Sequence, residues 1–345
     1  MATIGDEMAI LVTGAAGYIG SHAVQRLLVG GHTVVGLDNM GRGNAGAVDA
    51  LRELGGEKFR FERADTTDRS RLERLMVEHH VDAVLHFAAL SLVGESVLRP
   101  LEYHRNNSLV PLLEAIRDAR VKRLVFSSTC AVYGQPPSTP VTEDAPFAPL
   151  SPYGTSKLHG ENVLDDFLEA RKHQSSPFAF AALRYFNVAG CDRTGVLGED
   201  HEPHSHVIPI VLEVALGKRD KITIFGEDYD TPDGTCIRDY IHVEDLVDAH
   251  LRVLEALEDG ESRRYNLGIG KGYSVKDIIE SCRRVTGHAI PAETGPRRPG
   301  DPPALFADPG KVQEELGWTA EITELDAIIE SAWKWMKANP EGYTA

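Results

Sequence analysis

The sequence predicts an α/β fold in which a doubly wound parallel sheet is followed by a smaller α/β C-terminal domain. Three observations support it. Short apolar runs alternate with helical patterns in the first half of the 345 residues, a glycine-rich turn follows the first run, and glycine and proline scatter between shorter elements from about Val188. Short β-rich runs that alternate with helices form parallel sheets covered on both faces. We place the domains at residues 1–187 and 188–345, and some later segments are expected to return to the first sheet.

The elements of the predicted sheet follow in chain order. Strands are predicted at Ala9–Thr13, His32–Asp38, Phe59–Arg63, Ala83–Phe87, Arg123–Ser127 and Phe178–Arg184. Helices are predicted at Tyr18–Val29, Arg69–His79, Pro100–Ala119 and Tyr153–His173. The proline-rich segment Gly134–Pro152 indicates a structured loop. The second domain is expected to cover the carboxyl edge of the sheet, where open α/β folds bind ligands.

Composition excludes several classes of protein. A net charge of −16 argues against a nucleic-acid-binding protein, whose surface would be basic. No apolar run approaches the ~18 residues that a membrane span needs, and the N-terminus lacks the pattern of a signal peptide. The four cysteines form no CxxC pair, so neither a zinc motif nor a disulfide framework is indicated. We expect free thiols and a cytoplasmic location.

The glycine-rich turn ILVTGAAGYIGSH indicates a Rossmann-type dinucleotide site. Gly14, Gly17 and Gly20 follow the first strand and would let backbone N–H groups approach a pyrophosphate at a helix N-terminus. Asp38 ends the second strand, where a carboxylate accepts hydrogen bonds from an adenosine ribose and repels a 2′-phosphate. This favours NAD over NADP, although Arg42 nearby leaves the choice open. The alternative for Asp38 is a capping residue after a strand.

Tyr153 and Lys157, in SPYGTSK, would lie on one face of a helix, one turn apart. A cation near a phenol lowers its pKa, which could make Tyr153 a general base for an alcohol proton. A YxxxK pattern alone usually means two surface residues. Here the pair follows a strand that ends in FSSTCAVYG, and the Thr129 hydroxyl of that segment could bond a substrate oxygen.

The motifs GAAGYIGSH, HFAA, SSTCAVYG, SPYGTSK and LRYFN together resemble the extended short-chain dehydrogenase/reductase family. CIRDYIHVEDL, YNLGIGKGYSV and PRRPGD narrow the resemblance to the UDP-glucose 4-epimerases, over about Ala9 to Tyr343. The resemblance implies bound NAD and interconversion of UDP-glucose and UDP-galactose: C4 is oxidised, the 4-keto sugar rotates, and hydride returns to the opposite face. Tyr153 would take the C4 hydroxyl proton, Lys157 would bind the nicotinamide ribose, and Thr129 would hold the C4 oxygen.

The resemblance also implies two sets of contacts. The cofactor set is Gly14, Gly17, Tyr18, Ile19, Gly20, Asp38, Asn39, Met40, Asp65, Thr66, Phe87, Ala88, Ala89, Ser91, Asn106, Thr129, Tyr153, Lys157 and Phe186. The UDP-sugar set is Thr129, Tyr153, Asn187, His206, Thr223, Ile224, Phe225, Arg238, Arg298, Asp301 and Leu305. In the second set, the two arginines would hold the diphosphate, the aspartate a ribose, and the phenylalanine the uracil.

Three positions depart from the pattern. Ser91 stands where some relatives carry a lysine near the nicotinamide, and His206 stands where some have paired asparagines. His201, His204 and His206 resemble metal ligands, but we expect no metal because the sequence shows no acidic or cysteine residue that completes the set. Leu305 is shorter than the tyrosine that narrows the sugar pocket in some relatives. Either the pocket is wider and also accepts UDP-N-acetylhexosamines, or neighbouring side chains fill the space.

Other functions remain open at this point. A nucleotide-sugar 4,6-dehydratase would need an Asp-Glu pair after Thr129, where this chain has Cys130 and Ala131. A non-catalytic NAD-sensing protein would not need the tyrosine, lysine and threonine. UDP-pentoses are further possible substrates. A homodimer is expected through the helices Pro100–Ala119 and Tyr153–His173.

Overall fold

The computed structural model describes residues 7–201, 204–298 and 301–343. Its strands are β1 Ala9–Thr13, β2 Thr33–Asp38, β3 Phe59–Arg63, β4 Ala83–His86, β5 Arg123–Ser127, β6 Ala179–Tyr185, β7 Asn187–Ala189, β8 Ile222–Phe225, β9 Ile237–Arg238, β10 Tyr240–His242, β11 Ser262–Leu267, β12 Tyr273–Ser274, β13 Ala292–Gly295 and β14 Ala304–Leu305. Its helices are α1 Tyr18–Val29, α2 Ala45–Gly55, α3 Arg69–Glu78, α4 Val93–Leu98, α5 Pro100–Asn106, α6 Val110–Ala119, α7 Pro152–His173, α8 Val207–Ala215, α9 Val243–Ala256, α10 Val275–Thr286, α11 Gly310–Leu316 and α12 Leu325–Ala338.

The main sheet has seven parallel strands in the order β3-β2-β1-β4-β5-β6-β11, which confirms the predicted doubly wound fold. Ile10 of β1 pairs with Val34 on one side and Ala83 on the other. The strand order reverses between β1 and β4. This places a crevice at the carboxyl ends of these strands, the usual ligand position in such folds.

Two apolar layers cover the sheet, which explains why its strands are apolar on both faces. On one side, α1, α2 and α9 contribute side chains such as Leu27, Leu51 and Leu254. On the other side, α3, α6 and α7 contribute side chains such as Leu75 and Leu164. The catalytic candidates therefore lie at the edge of a sheet that is fixed by packing on both faces.

Several features of the first half differ from the prediction, among them the short helix α4, which was not predicted. The single helix predicted over Pro100–Ala119 is divided into α5 and α6, because buried Asn107 bonds the backbone of Leu90 and the hydroxyl of Ser156 instead of lying in a continuous helix. The helix α2 was not predicted. Its N-cap Asn44 accepts a hydrogen bond from the Gly46 N–H at 2.9 Å.

The later part of the chain extends the main sheet, packs on one of its faces and forms a cluster of its own. The strand β11 returns to the main sheet beside β6. A separate apolar cluster joins α8, α10 and α12, while the short pairs β9–β14 and β8–β13 carry the predicted UDP contacts. Two residues of the PRRPGD motif, Pro299 and Gly300, lie outside the described residues. None of the helices described has both the length and the apolar character needed to cross a membrane.

Candidate active site

The glycine turn brings the backbone of β1 against that of β4 with no room for side chains. Gly14 has a φ of +74°, and a Cβ there would lie 2.7 Å from the Ala88 nitrogen. A Cβ at Gly20 would lie 2.0 Å from the Gly14 carbonyl oxygen. The N-terminus of α1 has no side-chain cap and no acidic residue in its first turn. Its N–H groups are therefore available to a phosphate.

A cavity of about 390 Å³ opens beside this turn. It brings together a large part of the predicted cofactor set, namely Gly14, Gly17, Asp38, Asn39, Thr66, Phe87, Ala88, Ala89 and Asn106. It is also lined by residues that were not predicted, namely Leu37, Gly41, Arg42, Gly43, Ala64, Leu90, Arg99 and Glu102. In the sequence Arg42 is notable only as a neighbour of Asp38. Arg99 and Glu102 carry no sequence signal, because only the fold brings the start of α5 to the cavity.

Asp38 is held at the wall of this cavity by the backbone. Its carboxylate accepts hydrogen bonds from the Met40 N–H at 2.8 Å and the Ala16 N–H at 3.1 Å. Burial raises the pKa of Asp38, while these two N–H groups act to lower it. Nearby, Asn39 donates to Asp65 at 2.8 Å. The carboxylate is thus oriented before any ligand arrives, as ribose recognition requires.

The mouth of the cavity is bridged by charged side chains. Arg42, in the β2–α2 loop, forms an ion pair with Glu95 of α4. Glu95 also accepts a hydrogen bond from the Tyr103 hydroxyl at 2.7 Å and pairs with Arg99 at 3.3 Å. The Arg42 guanidinium is therefore engaged by a carboxylate in this state.

The other predicted cofactor residues lie outside the lining of the cavity. The Tyr18 hydroxyl donates to the Gly190 carbonyl, and Ile19 packs against the core. Met40 has a φ of +62°, and Ser91 is exposed. Phe186 packs in a small cluster with Val132, Tyr133, Val141 and Leu305.

Thr129 and Tyr153 meet at the carboxyl end of β5. Thr129 caps a 3-10 helix over Cys130–Val132, accepting from the Ala131 N–H at 3.1 Å. The side chains of Thr129 and Tyr153 are neighbours, and the Thr129 hydroxyl acts to lower the pKa of Tyr153. Ser151 caps α7 by accepting from the Gly154 N–H, which fixes the start of the helix that carries the tyrosine. Two hydroxyls are thus held together at the predicted substrate end of the site.

Lys157 lies on α7 one helical turn after Tyr153 and is buried. Its ammonium donates to the Ser127 carbonyl at 2.7 Å and lies 4.8 Å from the centre of the Phe126 ring. Burial lowers the pKa of Lys157 to about 7, while Glu161 acts to raise it. Burial and then the neighbouring Tyr185 raise the pKa of Tyr153, and the Thr129 hydroxyl only partly offsets this.

This corrects one expectation. The sequence predicted that Lys157 lowers the pKa of Tyr153, yet here the phenol is held in its neutral form. The physical reason is desolvation, which disfavours a phenolate and an ammonium alike. Sequence spacing places two groups on one helix face but does not reveal how dry that face is.

The predicted diphosphate and uracil contacts form two pairs. Arg238 of β9 donates to Asp301 at 2.9 Å. The Arg298 guanidinium lies 4.2 Å from the centre of the Phe225 ring, a cation–π contact. Leu305 pairs with Arg238 in the β14–β9 ladder and packs against Val132, close to Thr129. The structure therefore connects the predicted nucleotide contacts to the predicted sugar contacts.

The remaining predicted UDP-sugar residues lie in nearby elements. Asn187 of β7 pairs with Tyr240 of β10. On β8, Thr223 donates to Glu293 at 3.3 Å, and Ile224 is buried in the core. His206, at the start of α8, is hydrogen-bonded to Glu199 at 2.5 Å.

The structure also corrects the reasoning about the histidines. No acidic partner was recognised in the sequence, but Glu199 contacts both His206 and His201. Its signal was present in the segment VLGEDHEPHSH, two residues before the first histidine. Glu199 was not singled out from the sequence, because a carboxylate close to a histidine along a chain is common and does not show that the two side chains meet.

A buried ion pair beneath the site was not predicted either. Glu161 and Arg184 are 2% and 1% exposed, and Arg184 Nη2 lies 2.6 Å from Glu161 Oε2. Ser128, next to Thr129, donates to Glu161 at 2.5 Å. The available signal was that Glu161 follows Lys157 by one helical turn, and that Arg184 interrupts an apolar strand.

Comparisons with known proteins agree with this geometry. A family model, the NAD dependent epimerase/dehydratase family, matches residues 10–268. The chain is 50% identical over 340 residues to the UDP-glucose 4-epimerase of Halalkalibacterium halodurans, with 98% of each chain covered. It is similar to the crystal structure of UDP-glucose-4-epimerase from Stenotrophomonas maltophila with bound NAD and formylated UDP-arabinopyranose (TM-score 0.91, 40% identity, 97% and 99% covered). It is also similar to the UDP-Glc/GlcNAc 4-epimerase of Campylobacter jejuni (TM-score 0.82, 40% identity, 96% and 99% covered).

Proposed function

Because the chain belongs to the NAD dependent epimerase/dehydratase family, we propose that it interconverts UDP-glucose and UDP-galactose with NAD as its cofactor. The observation that carries this proposal lies at the carboxyl end of β5, where the Thr129 hydroxyl neighbours Tyr153 and the Lys157 ammonium donates to the Ser127 carbonyl. The name of the relative at 50% identity supports the same reaction.

The residues present fit a dinucleotide. The Gly14 turn has no space for a side chain, the N-terminus of α1 is free, and the Asp38 carboxylate lies at the cavity wall. When bound, NAD would supply the hydride acceptor and donor and, in its oxidised form, a positive charge. The polar side chains of Asn39 and Asn106 would hold it together with the backbone near Ala88.

The chain's own residues move the proton. Tyr153 would take the C4 hydroxyl proton of the sugar and later return it, while Thr129 holds the C4 oxygen. The Lys157 ammonium would favour the phenolate once ligands add charge and hydrogen bonds to this dry site. A phenol that is neutral at rest is already the form that returns the proton in the second half of the reaction.

Binding would rest on the nucleotide, because the 4-keto sugar must rotate before hydride returns. We assign Arg238 and Arg298 to the diphosphate, which a guanidinium fork suits. Asp301 would bind a ribose, and Phe225, which is 38% exposed, would contact the uracil. Interactions placed on the remote part of the substrate leave the reacting part free to turn.

The dehydratase alternative is weaker for a structural reason. It needs an acid and a base directly after Thr129, where this chain has Cys130 and Ala131. Burial raises the pKa of Cys130 to about 12, so its thiol stays protonated and cannot act as the base. The alanine side chain has no ionisable group, so it cannot act as the acid. A non-catalytic NAD-sensing protein would not require the Thr129–Tyr153 contact.

The test of the proposed function is incubation of the purified chain with UDP-galactose and no added cofactor. We expect UDP-glucose as the product without release of free NADH, identified by chromatography against standards. A 6-deoxy-4-keto product would contradict the proposal and would instead identify the chain as a nucleotide-sugar 4,6-dehydratase. Absence of turnover, also after addition of NAD, would contradict it.

We also propose that the substrate range includes UDP-N-acetylhexosamines. Leu305 is 9% exposed and packs with Tyr133 and Phe186, so its short side chain leaves the pocket wider than a tyrosine would. We expect turnover of UDP-N-acetylglucosamine, and in the Leu305→Tyr variant a loss for this substrate of about tenfold or more, the scale of one pocket contact. Coupled assays with both substrates measure this. Equal losses for UDP-galactose and UDP-N-acetylglucosamine would count against a gating role, and no turnover by the wild type would refute the wider range.

We further propose a homodimer formed through α4, α5 and α7. Leu98 and Leu101 are 83% and 78% exposed on the face where α4 and α5 pack beside α7. Apolar side chains that cluster on a surface mark interaction sites. The double variant Leu98→Lys/Leu101→Lys is expected to be monomeric by light scattering, while Val29→Lys, a similarly exposed position on α1, stays dimeric. A wild-type monomer, or a dimeric double variant, would contradict this interface.

Two coarser proposals follow. The described cysteines are all free, which supports a cytoplasmic location, because thiols persist in reducing compartments.

Residues 1–187 would bind NAD and residues 188–345 mainly the UDP-sugar, with α9 and β11 packing on the first domain.

A further inference from the structure

The segment between β7 and α8 concentrates imidazoles around one buried carboxylate. Glu199 is 4% exposed, and its Oε1 atom lies 2.5 Å from His206 Nδ1 and 3.6 Å from His201 Nδ1. Among the described residues, the ion pairs of Glu199 are formed with these imidazoles alone. A buried carboxylate needs a positive partner, and here neither lysine nor arginine supplies it.

The backbone on both sides of Glu199 is anchored. Gly198 donates its N–H to the Tyr343 hydroxyl at 2.8 Å, and the Tyr343 N–H donates to Asp200 at 2.9 Å. Asn44 also donates to Asp200 at 2.7 Å. The carboxylate is therefore held in place before any ligand binds, as a built site requires.

We propose that Glu199, His201 and His206 bind a transition-metal cation of the Zn²⁺ class. Candidate ligand atoms of these three residues lie within 4.8 Å of one another. Zinc binds imidazole nitrogen and carboxylate oxygen at ~2.0–2.2 Å, so a sub-ångström opening of the Glu199–His206 contact would admit the ion in place of the shared proton. The three ligands lie on either side of residues 202 and 203, which are outside the described ranges.

The surroundings supply further coordination. His201 Nε2 lies 3.4 Å from the Ser205 hydroxyl, an outer partner of the kind that orients metal-binding histidines. The ring of His204 lies 5.4 Å from that of His201, and its buried Nδ1 has no hydrogen-bond partner in the described part of the chain. The fourth ligand would be His204 or water. Two imidazoles and one carboxylate favour Zn²⁺, Co²⁺ or Ni²⁺ over Mg²⁺ and Ca²⁺, which prefer oxygen ligands.

This inference goes beyond the proposed epimerase reaction, which needs no metal. His206 also belongs to the predicted UDP-sugar contacts, so metal and nucleotide would compete for one imidazole. The binding test is therefore made on the full chain without UDP-sugar. It does not depend on whether the chain is an epimerase.

The experiment is titration of the purified chain with Zn²⁺ and with Co²⁺, followed by calorimetry and visible absorption. We expect one equivalent of metal per chain, visible Co²⁺ bands, and no binding of Mg²⁺. His201→Ala should weaken the affinity for Zn²⁺ about 10-fold or more, because even loss of an outer partner costs about 10- to 100-fold. Zn²⁺ should raise the melting temperature of the wild type and not of this variant.

The matched control is His104→Gln, because His104 and His159 form another imidazole pair, with ring centres 5.5 Å apart. This variant should bind Zn²⁺ like the wild type. The proposal is overturned if the wild type binds Zn²⁺ no more tightly than His201→Ala, or if the His104 variant is the one that loses the metal. Circular dichroism of His201→Ala checks its fold, and His201→Gln replaces it if the alanine variant is unfolded.

Discussion

Replacing Tyr153 with phenylalanine should lower kcat for UDP-galactose by about 10³-fold, within the range of about 10²- to 10⁴-fold that a positioned acid–base group contributes. The change removes one oxygen, which neighbours the Thr129 hydroxyl, and leaves the ring in place. KM should change only a few-fold, because the binding energy rests on the UDP part. Steady-state kinetics with UDP-galactose measures both constants.

The matched control is Tyr185→Phe. This neighbouring tyrosine bonds the Ser127 hydroxyl and raises the pKa of Tyr153, so the variant removes the same atom from the same environment. It should lose far less of kcat than Tyr153→Phe. Equal losses in the two variants would mean that the oxygen of Tyr153 acts through packing, and a fully active Tyr153→Phe would remove it from the mechanism.

The largest effect on stability is expected from Glu161→Gln. Glu161 binds Arg184 through both of its carboxylate oxygens, at 2.6 and 3.0 Å. Glu161 raises the pKa of Arg184 even though burial acts to lower it, so the guanidinium stays charged. Removing one partner of a buried ion pair leaves an unpaired charge and costs about 3–5 kcal/mol. Urea denaturation should show this loss in the free energy of unfolding.

Two comparisons make this prediction specific. Glu169→Gln breaks the exposed pair with Lys172 and should leave the free energy of unfolding nearly unchanged, because solvent screens such pairs. The double variant Glu161→Met/Arg184→Met should recover most of the loss, because apolar residues of similar volume replace a buried pair at little cost. A double variant as unstable as Glu161→Gln would show that the loss comes from altered packing.

The elements that carry the site could be predicted because their signals are local. The strands β1, β3 and β5 and the helix α1 have the predicted bounds, since buried parallel strands read as short apolar runs. The division at Asn107 could not be predicted, because that residue bonds Leu90 and Ser156, which are distant in sequence.

The site shows the same limit. Of the nine predicted residues that line the cavity, all but Asn106 lie at or just after the carboxyl ends of strands that meet at one edge. Arg99, the N-cap of α5, and Glu102 of α5 reach the cavity only through tertiary packing. Likewise, the pKa of Lys157 depends on burial under Phe126, and burial is a property of the folded chain that helical spacing does not encode.

The central claim is that hydride leaves C4 of the sugar and returns to the same molecule without reaching solvent. The direct measurement is turnover of UDP-galactose that carries deuterium at C4, in ordinary water with added unlabelled NADH, followed by NMR of the product. We predict UDP-glucose that retains the deuterium at C4. Deuterium lost to water or to the added NADH would contradict the account.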